Sequence, residues 1–283
     1  MFESKGAILV LTYNRSDLLH ELLVSVHRVL KEEEISLLVV RQLGDENVGE
    51  VLKTWRASID VLIEIDGTGR SVPENIGRNR LAGYATAFDA LGVDWVLAAE
   101  EDVLLAPDTI NFVKFIIKSF QNKRNFRGIN LGSRLKNSEE GRSSFCKTRY
   151  GIFGQAAVMP STSWRRMQRL RIIESSRSGH WDAAMEAYMK TGLTIAPNNS
   201  RYIDRGWSGS HAPSNPQDPY YQDLAESFVS DVDNMRSDYC EHDLGYWWRS
   251  DLKKFHSLAS PHYWVLFLIR HPKLFRFFKD LKI

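Results

Sequence analysis

The triplet Glu100-Glu101-Asp102 stands directly after the apolar run Val93 to Ala99. Adjacent carboxylates repel one another unless a cation or hydrogen-bond donors compensate them, and their hard oxygens suit Mg2+ or Mn2+. A solvated acidic turn that favours the amino terminus of the next helix is the competing reading. Arginines stand at comparable places: Arg15, beside Asn14, follows the apolar run Ala7 to Thr12, and Arg78 lies in Asn75-Ile76-Gly77-Arg78-Asn79-Arg80. Such cations can meet phosphate oxygens, although solvated helix positions would account for both. Farther along, Asp182 opens a helical stretch, and Trp207 and His211 sit in the Gly/Ser-rich segment Arg205-Gly206-Trp207-Ser208-Gly209-Ser210-His211. Asp182 could equally cap its helix, and Trp207 could equally anchor its loop.

The elements that must position these residues are legible in the hydropathy. Ala7 to Thr12, Ile35 to Val40, Ile59 to Ile65 and Val93 to Ala99 are short, continuous Val/Ile/Leu-rich runs, which predict strands buried on both faces and hence a largely parallel sheet. Helical spacing fills the intervals at Ser16 to Leu30, Asn47 to Ala57 and Asn75 to Leu91. This βαβαβα order predicts an α/β fold, in which ligands bind beyond the carboxyl ends of the strands. The polar groups there are Asn14 and Arg15, Gln42 to Asp45, Asp66 to Arg70, and Glu100 to Asp102. Pro107 and Asp108 open a further helix to about Phe120.

Beyond Arg127 the pattern is less regular, with a strand-like Gly128 to Leu131, a polar stretch to Ser144 and an apolar Gly151 to Met159. Helical periodicity returns at Trp181 to Met189 and from Leu224 to Tyr239, and the interval 198–219 reads as a long loop. The expected organisation is a catalytic domain over 1–219, with a nucleotide half (1–125) and an acceptor half (126–219), then a helical extension (220–260) and a tail (261–283).

The net charge is +2, with 37 Lys and Arg against 35 Asp and Glu, so no global basic field points to nucleic acid. Five cations of the tail, Arg270, Lys273, Arg276, Lys279 and Lys282, face only Asp280. At helical spacing Leu274, Phe275, Phe277, Phe278 and Leu281 share one arc, opposite most of those cations. That is the pattern of a basic helix lying on an anionic membrane surface, or of a terminal helix packed on its own domain. Cys146 and Cys240 form no CxxC and no disulfide framework, which fits a reducing cytoplasm. No signal-peptide core and no spanning segment is expected.

Several segments, in order, resemble the GT-A glycosyltransferases related to the Golgi β-1,2-N-acetylglucosaminyltransferase that initiates complex N-glycans. Glu100-Glu101-Asp102-Val103-Leu104-Leu105-Ala106-Pro107-Asp108 is similar to that family's Glu-Asp-Asp-x-x-x-Ala-Pro-Asp. Ile8 to Arg15 resembles its first strand and the Asn-Arg or Asp-Arg pair that ends it. Gly151-Ile152-Phe153-Gly154 resembles its Gly-rich segment, His180-Trp181-Asp182-Ala183-Ala184-Met185 its Trp-Asp-Asp-Trp-Met, and Ser200-Arg201 with Gly206 and His211 its Ser-Arg, Gly and Ser-His. The Asn75 to Arg80 helix resembles the Gly-x-x-x-Arg-Asn helix of the broader inverting superfamily.

The resemblance implies a Rossmann-like GT-A sheet flanked by helices and an enzyme that moves a sugar from a nucleoside-diphosphate donor, UDP-linked by preference. Asp102 would bind the cation, Mn2+ or Mg2+, that bridges the diphosphate, with His211 a further metal-shell candidate. Glu100 and Glu101 would face sugar and ribose, Thr12, Asn14, Arg15 and Arg78 would line the donor, and Trp207 would stack on base or sugar. The family's base position is Ala183 here, so Asp182 is the best-placed carboxylate to take the acceptor proton in an inverting transfer, with Glu100, Glu101 or Asp204 the alternatives. The acceptor expected is a saccharide or a lipid-linked saccharide in surface polysaccharide or glycolipid synthesis, reached from the inner face of the cytoplasmic membrane through the tail. Two alternatives stand: a non-catalytic carbohydrate- or nucleotide-binding protein on the same scaffold, and a sugar nucleotidylyltransferase. For the latter Gly67-Thr68-Gly69-Arg70 stands after the third strand, not the first.

Overall fold

In the computed structural model, which describes residues 4–30, 34–133, 144–148, 155–175, 188–189, 191–206, 222, 225–226, 228 and 240–241, each early apolar run becomes a strand. β1 (Gly6–Thr12), β2 (Ile35–Gln42), β3 (Val61–Ile65) and β4 (Trp95–Glu100) lie in the order β3-β2-β1-β4, all parallel. Helices α1 (Ser16–Leu30), α2 (Glu46–Thr54) and α3 (Val72–Ala85) make the crossovers. The connection after β1 runs to one side and that before β4 returns to the other, so the sheet's switch point lies between β1 and β4.

Continuous apolarity has the predicted cause. Successive strand side chains alternate between faces: Ile8 and Val10 pack with Leu19, Leu22 and Val26 of α1 and with Phe112 and Ile116 of α4 (Thr109–Phe120), while Leu9 and Leu11 pack with Tyr84 of α3 and Trp164 of α5 (Ser161–Arg169). Both cores are closed to solvent, and each fully buried aliphatic side chain stabilises the fold by about 1.5–3 kcal/mol. Gly83 lets α3 approach β1 closely. A Cβ there would stand 2.5 Å from Leu9 Cδ1.

Element ends follow local chemistry. Asp45 caps α2 by accepting from the Val48 N–H at 3.1 Å, and Glu74 accepts from the Ser71 N–H and hydroxyl at the start of α3. That places the start of α3 at Val72, earlier than the periodicity suggests, and the predicted remainder to Leu91 is a π-helical turn at Thr86–Ala90. The stretch after Thr54 is likewise a 3-10 turn, Arg56–Ser58.

The second half completes a nine-stranded mixed sheet. β6 (Phe126–Asn130), β7 (Ser144–Thr148), β8 (Ala156–Pro160), β9 (Leu193–Pro197) and β11 (Cys240–Glu241) extend it in the order β11-β7-β9-β6-β8-β4. β8 is antiparallel to both β4 and β6, so the unbroken parallel run ends at β4, and parallel pairing returns only between β6 and β9 and between β7 and β11. One sheet therefore runs through residues on both sides of the expected 125/126 division.

A separate two-stranded ribbon pairs β5 (Val103–Leu105) antiparallel to β10 (Tyr202–Asp204). The predicted loop 198–219 thus contains a strand, and its three residues are too few to show a period. The short helix α6 (Ile172–Ser175) follows α5. Among the described residues no helix is long and apolar enough to cross a membrane. All of them belong to the first of two units into which the chain divides, 1–242 and 243–283.

Candidate active site

The register of β1 against β4 sets the candidate site. Leu11 pairs with Glu100, so Thr12 and Glu101 leave the sheet side by side at the switch point. The Thr12 hydroxyl donates to Glu101 Oε2 at 2.6 Å, the Tyr13 N–H donates to the same oxygen at 2.8 Å, and the Asn14 N–H donates to Oε1 at 3.4 Å. Glu101 is 8% exposed. These donors compensate its charge, and the side chain braces the β1 exit instead of presenting an open carboxylate.

Asp102 is compensated differently. Arg15 Nη1 lies 2.5 Å from Asp102 Oδ2, and the backbone of Asp102 accepts the Arg205 N–H at 2.7 Å. Asp102 Oδ1 is buried and has no hydrogen-bond partner. Glu100 pairs with Arg80, whose side chain is 2% exposed. Each residue of the acidic triplet therefore has its own compensating group, Arg80, the β1 exit and Arg15 in turn. Tyr13, at 42%, is a large exposed side chain next to them.

The ribbon brings in Asp204, a carboxylate that the sequence offered only as a fallback for the acceptor base after Asp182. Its β10 pairs with β5, immediately after the triplet, placing Asp204 opposite Val103. β5 is held in turn by α1, where Ser25 Oγ accepts the Leu105 N–H at 3.2 Å. β10 is held by Arg201, whose N–H donates to the Leu131 carbonyl at 2.8 Å and whose Nη2 stands 3.0 Å from Asp108 Oδ2. Ser200-Arg201 is a structural knot at the amino terminus of α4.

Asp204 Oδ1 accepts the Gly206 N–H at 2.7 Å and Oδ2 accepts from Gln155 Nε2 at 2.5 Å. A Cβ on Gly206 would stand 2.3 Å from Asp102 Oδ2 and 2.9 Å from Asp204 Oδ1, so the two carboxylates converge where only glycine fits. Burial first, and then the Asp102 charge, push the Asp204 carboxyl up to about 6, against the lowering influence of Gly206, Gln155 and Arg15.

Arg78 goes elsewhere. Its Nη1 donates to the Asp66 carbonyl at 3.2 Å, as does Arg70 Nη1, at the exit of edge strand β3. Three strand intervals of about 4.8 Å separate β3 from β4. The helix face carrying Asn75, Arg78 and Asn79 meets the β2 and β3 exits, with Asn79 donating to Gln42 and Asn75 to the Gly67 carbonyl. Arg80, two residues on, is the arginine of this helix that reaches the acidic triplet. Its near-complete burial has no signature in a charged helical stretch. Asp182, Ala183, Trp207, His211 and the tail 261–283 lie outside the described residues.

Among the described residues no group of three or more His, Cys, Asp and Glu is placed to hold a metal ion. Asp102 and Asp204 nevertheless fit a divalent cation as donors, because Asp102 Oδ1 is buried without a partner and the other oxygen of that carboxylate, Oδ2, lies with Asp204 Oδ1 beside Gly206. Mg2+-type sites commonly take one or two carboxylates and complete their shell with substrate phosphates and water. The chemistry open to such an arrangement is binding of a phosphorylated ligand at the β1/β4 switch point.

No family model matches the chain, and no curated protein matches it. Among solved structures it resembles S. aureus TarS 1-349 with TM-score 0.49 and 12% identity, covering 72% of this chain and 61% of that one. The same protein in complex with UDP gives TM-score 0.49 and 13% identity over 70% and 59%. The mannosyltransferase PcManGT from Pyrobaculum calidifontis in complex with GDP-Man and Mn2+ gives 0.45 and 14% over 69% and 55%. This chain thus spans less than two thirds of the length of each. The likeness is confined to a mixed sheet flanked by helices.

Proposed function

We propose that this chain is a glycosyltransferase that moves a sugar from a nucleoside-diphosphate donor, UDP-linked by preference, to a saccharide or lipid-linked acceptor in surface polysaccharide or glycolipid synthesis. The observation that carries the proposal is the convergence of Arg15, Asp102 and Asp204 at the β1/β4 switch point, where a parallel sheet binds its ligand. The ordered resemblance of the Glu100 to Asp108 and Ile8 to Arg15 segments to the Golgi β-1,2-N-acetylglucosaminyltransferase relatives supports the same reading.

In this mechanism the β1 exit, braced by Glu101, receives the nucleoside side of the donor, and exposed Tyr13 offers a face for stacking. Arg15 meets the diphosphate, and Asp102 holds a divalent cation, Mn2+ or Mg2+. When bound, the cation stabilises the negative charge left on the departing diphosphate. Glu100, paired with Arg80, faces the sugar. Arg78 meets the donor only from its nucleoside end, given its place at the β3 exit. Asp182 takes the proton of the acceptor hydroxyl in an inverting displacement, Trp207 stacks on base or sugar, and His211 adds to the metal shell. The tail 261–283 lays its basic helix on the anionic inner face of the cytoplasmic membrane.

Ala183 at the position of the family's base favours a second reading, a carbohydrate- or nucleotide-binding protein without turnover. One experiment separates them. Melting curves with UDP-, GDP-, CMP- and dTDP-sugars, with and without Mn2+, find the donor, since a ligand of the folded state raises stability by mass action. Transfer to a supplied saccharide or lipid-linked acceptor then marks the enzyme. Donor binding without transfer by the purified chain across such acceptors supports the second reading, and no stabilisation by any sugar nucleotide overturns both.

A further inference from the structure

We propose that Asp204 is a second carboxylate ligand of the divalent cation, so that the cation links the acidic exit of β4 to the β5/β10 ribbon. The inference rests on the sugar-nucleotide reading above and adds to it a residue that the triplet motif does not include. Asp204 belongs to a strand about a hundred residues downstream of Asp102 in sequence, yet the pairing of Asp204 with Val103 makes them neighbours.

Three observations bear on it. First, Asp102 Oδ2 and Asp204 Oδ1 both border Gly206, where an added Cβ would stand 2.3 Å from the first and 2.9 Å from the second, so the two carboxylates are neighbours. Second, Asp102 Oδ1 is buried without a partner, and an unsatisfied charged acceptor is costly to bury unless a ligand completes it. Third, the orientation of Asp204 is fixed by groups that donate one bond to each oxygen, Gly206 N–H to Oδ1 and Gln155 Nε2 to Oδ2. A carboxylate oxygen accepts more than one bond, so both retain capacity for a cation, and supporting bonds of this kind orient metal ligands. Arg15, at 2.5 Å from Asp102 Oδ2, already supplies one positive charge to this pair of anions. A second, divalent charge would balance the pair and leave net positive charge for a diphosphate.

The test titrates MnCl2 into the full chain, reading free Mn2+ by electron paramagnetic resonance, with and without UDP, for wild type, Asp102→Asn, Asp204→Asn and Gly206→Ala. UDP affinity in EDTA is measured alongside. Expected are a loss of Mn2+ affinity of at least tenfold in Asp204→Asn with unchanged UDP affinity in EDTA, and a comparable loss in Gly206→Ala, which keeps both carboxylates but intrudes a methyl group between them. Wild-type Mn2+ affinity in a folded Asp204→Asn, with affinity lost in Asp102→Asn, overturns the proposal and makes Asp204 a strut. If Asp204→Asn does not fold, Gly206→Ala decides, and its binding Mn2+ as wild type does overturns the proposal. Wild type that binds UDP but no Mn2+ overturns the proposal and leaves the donor reading standing. Wild type that binds Mn2+ through both aspartates but no nucleotide supports the proposal and overturns the donor reading.

Discussion

Arg15 Nη1 and Asp102 Oδ2 meet at 2.5 Å across the gap between the exits of β1 and β4, joining the one cation of the first exit to the last carboxylate of the second. Asp102 keeps 12% and Arg15 23% of side-chain exposure, so the pair lies at the partly exposed strand exits and not within the core. A pair so placed can exchange partners when a charged ligand arrives. Arg15→Gln removes the compensating charge from Asp102 and the group facing the diphosphate together. The expected result is a loss of nucleotide-sugar affinity of at least tenfold, with a lowered melting temperature of the ligand-free protein. Isothermal titration with UDP and a melting curve check the two parts, and unaltered UDP affinity would remove Arg15 from the donor site.

Glu101 gives the opposite pattern. Its oxygens accept from the Thr12 hydroxyl and from the backbone of Tyr13 and Asn14, and in Glu101→Gln a carboxamide NH2 must face at least one of those donors. Hydrogen bonds to a buried charged acceptor are worth about 1.5–3 kcal/mol, so a loss of about 2 kcal/mol in unfolding free energy is expected from urea denaturation. Any loss of nucleotide binding should then scale with this loss of structure. Full stability with abolished binding would make Glu101 a donor contact instead of a brace.

Asp204 predicts a pH dependence. Its carboxyl is raised from 3.8 to about 6 in the folded chain, so between these values the native state holds a proton that the unfolded state releases. Stability therefore falls as pH rises from about 4 to about 6 and the deficit is complete at neutral pH. The shift corresponds to about 3 kcal/mol. Asp204→Asn, with Gln155 turning its amide oxygen toward the new NH2, should match the metal-free wild type at pH 4 and exceed it by up to that amount at pH 7. Equal stability of the two proteins across the range would contradict the raised carboxyl.

What the sequence disclosed and what it hid divide along physical lines. Strands buried on both faces write themselves as continuous apolar runs, which is why Ala7 to Thr12 and Val93 to Ala99 fall on β1 and β4 almost residue for residue, and Ser16 to Leu30 is α1 without adjustment. The acidic triplet was visible because polar residues that end such a run stand out. The nearness of Asp204 to the triplet was not, because β10 is three residues long in a segment dominated by loop formers and acquires its place only by pairing with β5. Arg78 and Arg80 show the same limit in one helix. Composition distinguishes neither, and only the packing of α3 on β1 and β2 turns Arg80 inward and Arg78 toward Asp66.

That last contrast is open to measurement. Arg80 is sealed against Glu100, which keeps 33% of its side-chain exposure, whereas Arg78 bonds a carbonyl near the surface. Arg80→Met removes the buried charge that pairs with Glu100 beside Glu101 and Asp102, so a destabilisation of about 2–3 kcal/mol is expected, discounted from the full buried-pair range because Glu100 meets solvent. Arg78→Met should cost less than about 0.5 kcal/mol, as surface changes generally do. The double variant Arg80→Met/Glu100→Gln should recover part of the first loss, because it removes the carboxylate charge along with the cation that pairs with it. Urea unfolding of wild type, Arg80→Met, Glu100→Gln and the double variant gives the coupling directly. Additive losses in the double variant would show that Arg80 stabilises the fold through its packing alone, and Glu100 would then be free to act on a ligand without it.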